Sequence, residues 1–148
     1  EYRDIIVDSL NYCIAQKGFK VFSWVIMTNH VHIVAQAVGK YTFSEVLRDM
    51  KKFITKRIID VIEHSNESRC LWLLDTFSFE AKKARRWKYF KLWQDGNHAI
   101  EIDSNIDYFK KIDYIHNNPV RAGWVDNIDD YRYSSARDYT GKKGLVNI

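Results

Sequence analysis

The sequence has no long apolar run, only two cysteines and a small excess of positive charge. Apolar runs such as Trp24-Val25-Ile26-Met27 are far shorter than the roughly 20 residues that cross a bilayer, so no membrane span is expected. No basic start followed by an apolar stretch and a small-residue cleavage site is visible. Cys13 and Cys70 have neither the spacing of metal ligands nor the density of a disulfide scaffold. These absences favour a cytoplasmic protein with reduced thiols and no membrane partner.

The 148 residues, 46% of them hydrophobic, are enough for one ordinary core, so we expect a single domain over residues 1–148. The net charge of +4 is modest, and the position of the cations therefore matters more than their number. Residues 40–57 hold six cations and two anions, and residues 80–91 hold six cations and one anion. Phosphate-binding surfaces gather cations in this way, so both stretches are candidate nucleic-acid contacts.

The first part of the chain predicts a helix followed by a β-hairpin. Apolar residues recur at helical spacing over residues 2–17 and are followed by glycine, which commonly ends helices. Residues 20–27 and 30–38 then have strand composition on either side of Thr28-Asn29, a pair typical of turns. We expect these two strands to be antiparallel neighbours.

The second part predicts two more helices. An apolar stripe at i+3 and i+4 favours one long helix over residues 43–63, whereas residues 70–94 have no clean periodicity and fit either short strands or an ordered loop. A last helix is predicted over residues 105–117, ended by Pro119. Its expected core stripe consists of Ile106, Phe109, Ile112 and Ile115. The pattern indicates an α+β fold with helices on one face of an antiparallel sheet, most simply a ferredoxin-like arrangement.

The segment His30-Val31-His32 places two imidazoles at alternate positions of the second predicted strand. Side chains at i and i+2 of a strand project from the same face, so both rings can reach one metal ion while Val31 anchors the strand in the core. The alternative is that both histidines are ordinary half-buried polar groups.

Tyr114 and Asn118 lie four residues apart at the end of the last predicted helix and share one helical face. A phenol and a carboxamide can thus approach the same metal ion from the helix side. Lys110 and Lys111, about one turn earlier, are placed to favour the phenolate or to hold a phosphate oxygen. An alternative interpretation is that Tyr114, one of nine tyrosines, is an ordinary packing residue. Asn118, which precedes Pro119, can likewise be interpreted as a residue that ends the helix and binds no metal.

Two blocks of sequence resemble those of a known family. Thr28-Asn29-His30-Val31-His32 within residues 25–34, and Tyr114-Ile115-His116-Asn117-Asn118-Pro119 within residues 114–123, are similar to the two signature blocks of the HUH transposase superfamily. The likeness is strongest to the REP-associated tyrosine transposases. It extends to Leu92-Trp93-Gln94 and to residues 131–136, and so spans most of residues 2–140.

The resemblance implies a ferredoxin-like sheet with the two histidines on a central strand and a tyrosine-bearing helix facing it. By that likeness His30, His32 and Asn118 become ligands of one Mg²⁺ or Mn²⁺ ion, and Tyr114 becomes the nucleophile. Members of the family cut single-stranded DNA beside a hairpin, keep the 5′ phosphate on the tyrosine and release a 3′ hydroxyl. Some relatives are dimers, which leaves a homodimer open for this chain.

The chain departs from the family pattern in three places. Thr28 stands where proline is usual, and Asn118 stands where insertion-sequence members often have glutamine, which shortens the ligand by one methylene. Family members also begin with a β-strand ahead of the first helix. We therefore expect either a truncated sequence or a domain that lacks this N-terminal strand.

Residues 82–91 interleave cations with aromatic rings, a composition typical of proteins that bind single-stranded nucleic acid. We expect this stretch to hold the DNA that flanks the cleavage point, with cations of the long helix as a second phosphate track. The expected DNA contacts are Lys82, Lys83, Arg85, Arg86, Trp87, Lys88, Lys51, Lys52, Lys56, Arg57, Lys110, Lys111 and Arg121. The alternatives are a solvated basic loop for residues 82–91 and a role in fixing the turn for Arg121.

Together these features predict a metal-dependent DNA transposase that cleaves and rejoins single-stranded DNA near hairpins. Two other functions are compatible with the same residues. One is a single-stranded nucleic-acid-binding module on this fold that does not cleave, and the other is a metal-dependent nuclease that uses water as its nucleophile.

Overall fold

The computed structural model describes residues 1–64, 68–84 and 89–148. Its elements in chain order are α1 (Tyr2–Lys17), β1 (Phe19–Ile26), β2 (Val31–Ala37), α2 (Phe43–His64), α3 (Cys70–Ala84), α4 (Asn105–Arg121) and α5 (Ala136–Tyr139). The mixture of an antiparallel strand pair with packed helices confirms the predicted α+β class. No helix in these residues is long and apolar enough to span a membrane.

The turn that joins α1 to β1 depends on Gly18. This residue has a φ of 61°, in the left-handed region, and its N–H donates to the carbonyl of Cys13 to cap the helix. A Cβ atom at this position would lie 2.7 Å from the backbone of Gly39, so the start of β1 and the end of β2 close tightly only around glycine. The predicted helix over residues 2–17 and its stop are confirmed.

β1 and β2 form the predicted antiparallel hairpin. Val25 pairs with His32 and Ile26 with Val31, and a register shift between Val21 and Ser23 marks a bulge. This register fixes which residues of β2 face α4.

The outer edge of β1 is hydrogen-bonded to residues 133–135. The Ile26 N–H donates to the Tyr133 carbonyl over 2.9 Å, and the Ser135 N–H donates to the Trp24 carbonyl over 3.0 Å. β1 is therefore the interior strand of this layer, whereas β2 has β1 as its one strand partner among the described residues. The expectation of both histidines on a central strand differs from this arrangement, since β2 lies at the edge.

Helices cover both faces of the hairpin. α1 and α2 pack on the face that carries Trp24 and Ile26, where the larger apolar core lies. α4 packs on the opposite face, where Ile115 lies in one cluster with Val25 and Val34. The expected placement on one face holds for α1 and α2 but not for α4. Because residues 23–26 of β1 are all buried, with no alternation of polar residues, both faces of this strand need cover.

The prediction of short strands or an ordered loop over residues 70–94 is wrong for residues 70–84, which form the helix α3. Its inner side has the helical spacing i, i+3, i+4, i+7 and i+11, formed by Cys70, Leu73, Leu74, Phe77 and Ala81. Large apolar residues elsewhere on the same helix obscure this stripe in the sequence. Those residues, exposed to solvent, are Leu71, Trp72 and Phe79.

α4 continues through Pro119, so the predicted end of this helix before the proline is wrong. Proline removes one helical hydrogen bond, but Pro119 is fully buried, and its packing offsets that loss. The expected core stripe is half wrong, since Ile112 and Ile115 are buried whereas Ile106 and Phe109 are 69% and 65% exposed. Steps of three residues turn the helix by only about 300°, so such a stripe winds away from the buried face.

Candidate active site

Two imidazoles lie together where β2 begins. His32 is in the strand, opposite Val25, whereas His30 precedes the strand in a turn closed by the Met27 N–H, which donates to the His30 carbonyl over 2.9 Å. The ring centroids of the two histidines are 4.8 Å apart, and the ring planes are inclined at 68°. The hairpin thus brings the two rings together, with only one of them on the strand itself.

Tyr114 of α4 meets this histidine pair from the second layer. Its ring centroid lies 5.4 Å from that of His32, in an edge-to-face arrangement. The neighbouring Ile115 is buried against the hairpin and fixes the rotation of the helix, while 43% of Tyr114 remains exposed. Strand and helix therefore converge as the sequence blocks imply, and the phenol is open to a macromolecular ligand.

Asn118 lies one turn after Tyr114 on the same helix. Its Nδ2 donates to the backbone carbonyl of Tyr114 over 2.8 Å, which holds the carboxamide along the helix. The bond uses the amide nitrogen and not Oδ1, the atom that binds cations. The carboxamide is thus oriented without its oxygen being used in that bond.

The lowered pKa of His32 and the hydrogen bond of His30 both suit metal binding. Burial lowers the pKa of His32, and the charges of His30 and Lys111 lower it further, so the neutral ring is favoured at neutral pH. His30 Nδ1 lies 2.7 Å from Asn29 Oδ1; since a carbonyl oxygen only accepts, this contact uses Nδ1 as the donor and leaves Nε2 as the ring nitrogen for a metal ion. Neutral imidazole is the form that binds metal ions.

The donor set at this site fits a divalent cation of the Mn²⁺ or Mg²⁺ type only if an amide oxygen takes part. Within the described ranges, no group of three or more His, Cys, Asp or Glu side chains is placed to hold a metal ion. Two neutral imidazoles and a carboxamide oxygen are nevertheless suitable ligands for such ions, with open positions for phosphate oxygens. By donor type, His30, His32 and Asn118 therefore fit the cation that the sequence resemblance implies, and their assignment as its ligands stays a prediction.

One cation lies near Tyr114 and another near His32. The guanidinium carbon of Arg121 lies 5.2 Å from the centroid of the Tyr114 ring, within cation–π distance. Lys111 is near enough to His32 to lower its pKa. Lys110 is directed elsewhere, since its Nζ lies 3.7 Å from Asp107. Arg121 and Lys111 are thus the predicted cations that accompany the tyrosine.

His116 of α4 is a third histidine near the site, and its spacing in the sequence does not predict a role as a metal ligand. In the structure it is a buried structural residue. It is 3% exposed, and its Nε2 lies 2.8 Å from Ser135 Oγ and 3.2 Å from Ser23 Oγ. Its ring also packs edge-to-face on Tyr139 at 4.9 Å. His116 follows the buried Ile112 by four residues, and this spacing was the available signal that it faces the core.

The predicted cations of α2 lie on the far side of the hairpin from Tyr114, because α2 belongs to the α1 face. Lys52, Lys56 and Arg57 are exposed there. Lys51 is half-buried instead, and its Nζ donates to Asn97 Oδ1 over 2.6 Å and to the Gly96 carbonyl over 3.2 Å. Lys51 therefore fastens the 96–97 segment to α2, and a DNA contact for the other three stays a prediction.

The predicted contacts in the basic–aromatic stretch are described only in part. Lys82 and Lys83 are exposed in the last turn of α3. Arg85, Arg86, Trp87 and Lys88 lie outside the described residues. Their role in DNA binding stays a prediction.

The family model described as "Transposase IS200 like" matches residues 2–82, more than half of the chain and including the histidine pair. The REP-associated tyrosine transposase of Escherichia coli (strain K12) is 27% identical over 120 residues, which cover 80% of this chain and 55% of that protein. The chain thus spans about half the length of this curated relative.

A solved structure, "Structure of the REP associates tyrosine transposase bound to a REP hairpin", has a TM-score of 0.59, with 23% identity, 99% coverage of this chain and 71% of the other. This likeness supports the fold. The resemblance seen in the two sequence blocks is confirmed, and the chain belongs to the IS200-like transposase family.

Proposed function

We propose that this chain cleaves and rejoins single-stranded DNA through a covalent phosphotyrosine at Tyr114. The observation that carries the proposal is the 5.4 Å approach of the Tyr114 ring to the His32 ring, between elements far apart in the sequence. Membership of a transposase family supports a DNA strand-transfer activity. The exposure of the phenol supports it further, because a DNA phosphate has to reach this oxygen from solvent.

His30, His32 and Asn118 would hold the divalent cation, Mg²⁺ or Mn²⁺. When bound, such an ion polarises the phosphate and stabilises negative charge in the transition state. The lowered pKa of His32 supports this assignment, since the ligand is already neutral at neutral pH. The bond from Asn118 Nδ2 to the Tyr114 carbonyl would keep ligand and nucleophile in a fixed relation along one helical turn.

In the proposed reaction the Tyr114 oxygen forms a bond to phosphorus while the bond from phosphorus to the 3′ oxygen breaks. The phenolic proton is lost from Tyr114, and the departing oxygen takes up a proton to become a 3′ hydroxyl. The DNA on the other side of the break remains joined to the tyrosine through its 5′ phosphate, and rejoining is the reverse reaction. Arg121 and Lys111 place positive charge where the negative phosphate would lie.

The proposed substrate is single-stranded DNA next to a hairpin. The solved relative of similar fold is described as bound to a REP hairpin, and we extend that class of ligand to this chain. Exposed cations such as Lys82 and Lys83 would then contact phosphates outside the cleaved bond.

The test uses a hairpin oligonucleotide with a single-stranded flank, labelled at its 3′ end, incubated with the protein and Mn²⁺. We expect a protein–DNA adduct that survives denaturation, and we expect Tyr114→Phe to abolish it because the attacking oxygen is gone. Tyr12→Phe removes another exposed phenol, on α1, and should leave the adduct unchanged.

The two other candidate functions give different products. A water-dependent nuclease would release free 5′-phosphorylated fragments in both wild type and Tyr114→Phe, with no adduct. A binding module without catalysis would retain the intact oligonucleotide. Either result would overturn the proposed role of Tyr114.

A further inference from the structure

A cavity of about 270 Å³ lies in the C-terminal part of the chain, away from the histidine pair. Its lining residues are Arg132, Arg137, Lys143 and Leu145. Three of these four side chains are cationic, and they lie within one C-terminal segment of the chain. A concave surface with charge of one sign concentrates ions of the opposite sign.

Arg137 of α5, one of the residues that line the cavity, has a buried donor atom without a partner in the part of the chain that the structure describes. Its Nε is buried and has no hydrogen-bond partner among the described residues. A buried donor without a partner is destabilising, more so when it is charged, and native proteins rarely retain one. Because Arg137 also lines the cavity, a ligand with acceptor oxygens bound there would contact its guanidinium group.

The acidic residues nearby do not neutralise the cavity. Asp129 forms an ion pair of 2.6 Å with Lys142, and this bond, with the charges of Lys142 and Arg137, lowers the pKa of the carboxyl. Asp138 Oδ1 accepts from the Gly144 N–H over 2.8 Å, and Asp138 is among the residues that line a neighbouring cavity. Its Oδ2 is buried and has no hydrogen-bond partner among the described residues. Asp4, whose charge also reaches Arg132, accepts a hydrogen bond from the Tyr133 hydroxyl. Lys142 balances Asp129, so the three lining cations outnumber the two other carboxylates, Asp138 and Asp4.

The segment that lines the cavity is hydrogen-bonded to β1 and to α1. Residues 133–135, between Arg132 and Arg137, pair with β1, the strand that also pairs with β2. Asn11 of α1 holds the other side, since its Nδ2 donates to the Leu145 carbonyl over 2.9 Å and its Oδ1 accepts from the Asn147 N–H. The three cations are thus presented by a segment anchored at both ends.

We propose that this cavity binds a phosphate group through Arg132, Arg137 and Lys143. A phosphate offers several acceptor oxygens and negative charge, which match a guanidinium fork and a neighbouring ammonium. The phosphate belongs either to DNA that runs beyond the cleaved bond or to a free phosphate or phosphate monoester. The site itself does not require strand transfer by Tyr114.

The first experiment titrates inorganic phosphate into the whole protein at constant ionic strength and follows the Nε–Hε signals of arginine side chains by NMR. We expect the Arg137 signal to move in a saturable way. Lys143→Gln, at an exposed position, should weaken this binding several-fold. Lys142→Gln is the matched control, because it removes an adjacent cation that is paired with Asp129 and does not line the cavity.

The second experiment measures the salt dependence of binding to the hairpin oligonucleotide for the wild type, Arg137→Gln, Lys143→Gln and Lys142→Gln. If the phosphate comes from DNA, the slope of log K against log salt falls by about 0.7 for the lost single-strand contact in the first two variants and not in the control. Saturable phosphate binding with unchanged DNA slopes identifies a free phosphate instead.

The proposal is overturned if the wild type shows neither saturable phosphate binding nor a slope change in the cavity variants. It is equally overturned if Lys142→Gln weakens phosphate binding as much as Lys143→Gln and the addition of Asp129→Asn, which removes the freed carboxylate, does not restore it, since a diffuse basic surface then suffices. Failure of adduct formation by Tyr114 leaves the phosphate titration unaffected, so the two proposals are tested separately.

Discussion

Two histidines lie between α4 and the hairpin, His32 on β2 and His116 on α4, and they differ in the groups that contact their rings. His32 and His116 are both removed from water far enough that burial lowers the pKa of each ring. His116 has Ser23 and Ser135 hydroxyls at hydrogen-bond distance from Nε2. The contacts of the His32 ring are with other rings, those of His30 and Tyr114.

The difference shows how one helix can be anchored in one place and open in another. A fully buried imidazole has to find hydrogen-bond partners within the protein, and the two serine hydroxyls provide them for His116. A half-buried imidazole such as His32 can keep a nitrogen for an external ligand. α4 thus joins a closed polar cluster to an open site within two residues, His116 and Tyr114.

The largest effect on catalysis is expected from removing both imidazoles of the histidine pair, His30 and His32. His30→Ala with His32→Ala should lower the rate of adduct formation at least about 1000-fold, since loss of a bound cation removes several kcal/mol of transition-state stabilisation. Unfolding free energy should change by less than about 1 kcal/mol, because neither ring is deeply buried. Denaturing gels measure the adduct, and thermal melting measures the stability.

Metal binding gives this prediction a readout that does not depend on catalysis. Mn²⁺ should raise the melting temperature of the wild type and not that of the double variant. His64→Ala, at the exposed end of α2, is the matched loss of an imidazole and should behave as the wild type. Wild-type adduct formation by the double variant would contradict the assignment of both ligands.

The closed cluster should respond in the opposite way. His116→Ala leaves the buried hydroxyls of Ser23 and Ser135 without this partner and opens a cavity, so unfolding free energy should fall by about 2 kcal/mol. Chemical denaturation measures this change. At a temperature where the variant is folded, adduct formation should fall much less than in the double variant. Unchanged stability would show that the cluster does not anchor α4.

The open site was more predictable from sequence than the closed one. His32 and Tyr114 belong to short patterns whose periodicity places them on defined faces, and their ring contact follows those faces. His30 lies beside His32 as expected, although it precedes the strand in a turn. The partners of His116 come from β1 and from residue 135, and no local spacing connects these segments. Contacts that depend on the path of the whole chain cannot be obtained from periodicity alone.

The misplaced elements have the same physical origin. Local rules end a helix before Pro119, but burial of its ring allows the helix to continue. α3 was missed because exposed Leu71 and Trp72 obscure its apolar stripe, and exposure is decided by tertiary packing. The two-sided cover of β1 was visible in its run of apolar residues, which predicts burial on both faces better than on one.

The smallest effect on stability is expected at Tyr139, whose ring packs edge-to-face on His116. Tyr139 donates from its hydroxyl to the Phe22 carbonyl over 2.8 Å, and Tyr139→Phe should lower unfolding free energy by about 1 kcal/mol at neutral pH. Burial, together with Tyr108, raises the pKa of Tyr139 to about 12, whereas the unfolded chain releases this proton near pH 10. The unfolded wild type is therefore favoured progressively as pH rises through this range.

The advantage of the wild type over Tyr139→Phe should thus be largest below about pH 10 and should shrink between about pH 10 and 12. Urea denaturation of both proteins across this range measures the difference, and titrations that the two proteins share cancel. A difference that stays constant with pH would mean that the phenol titrates alike in both states.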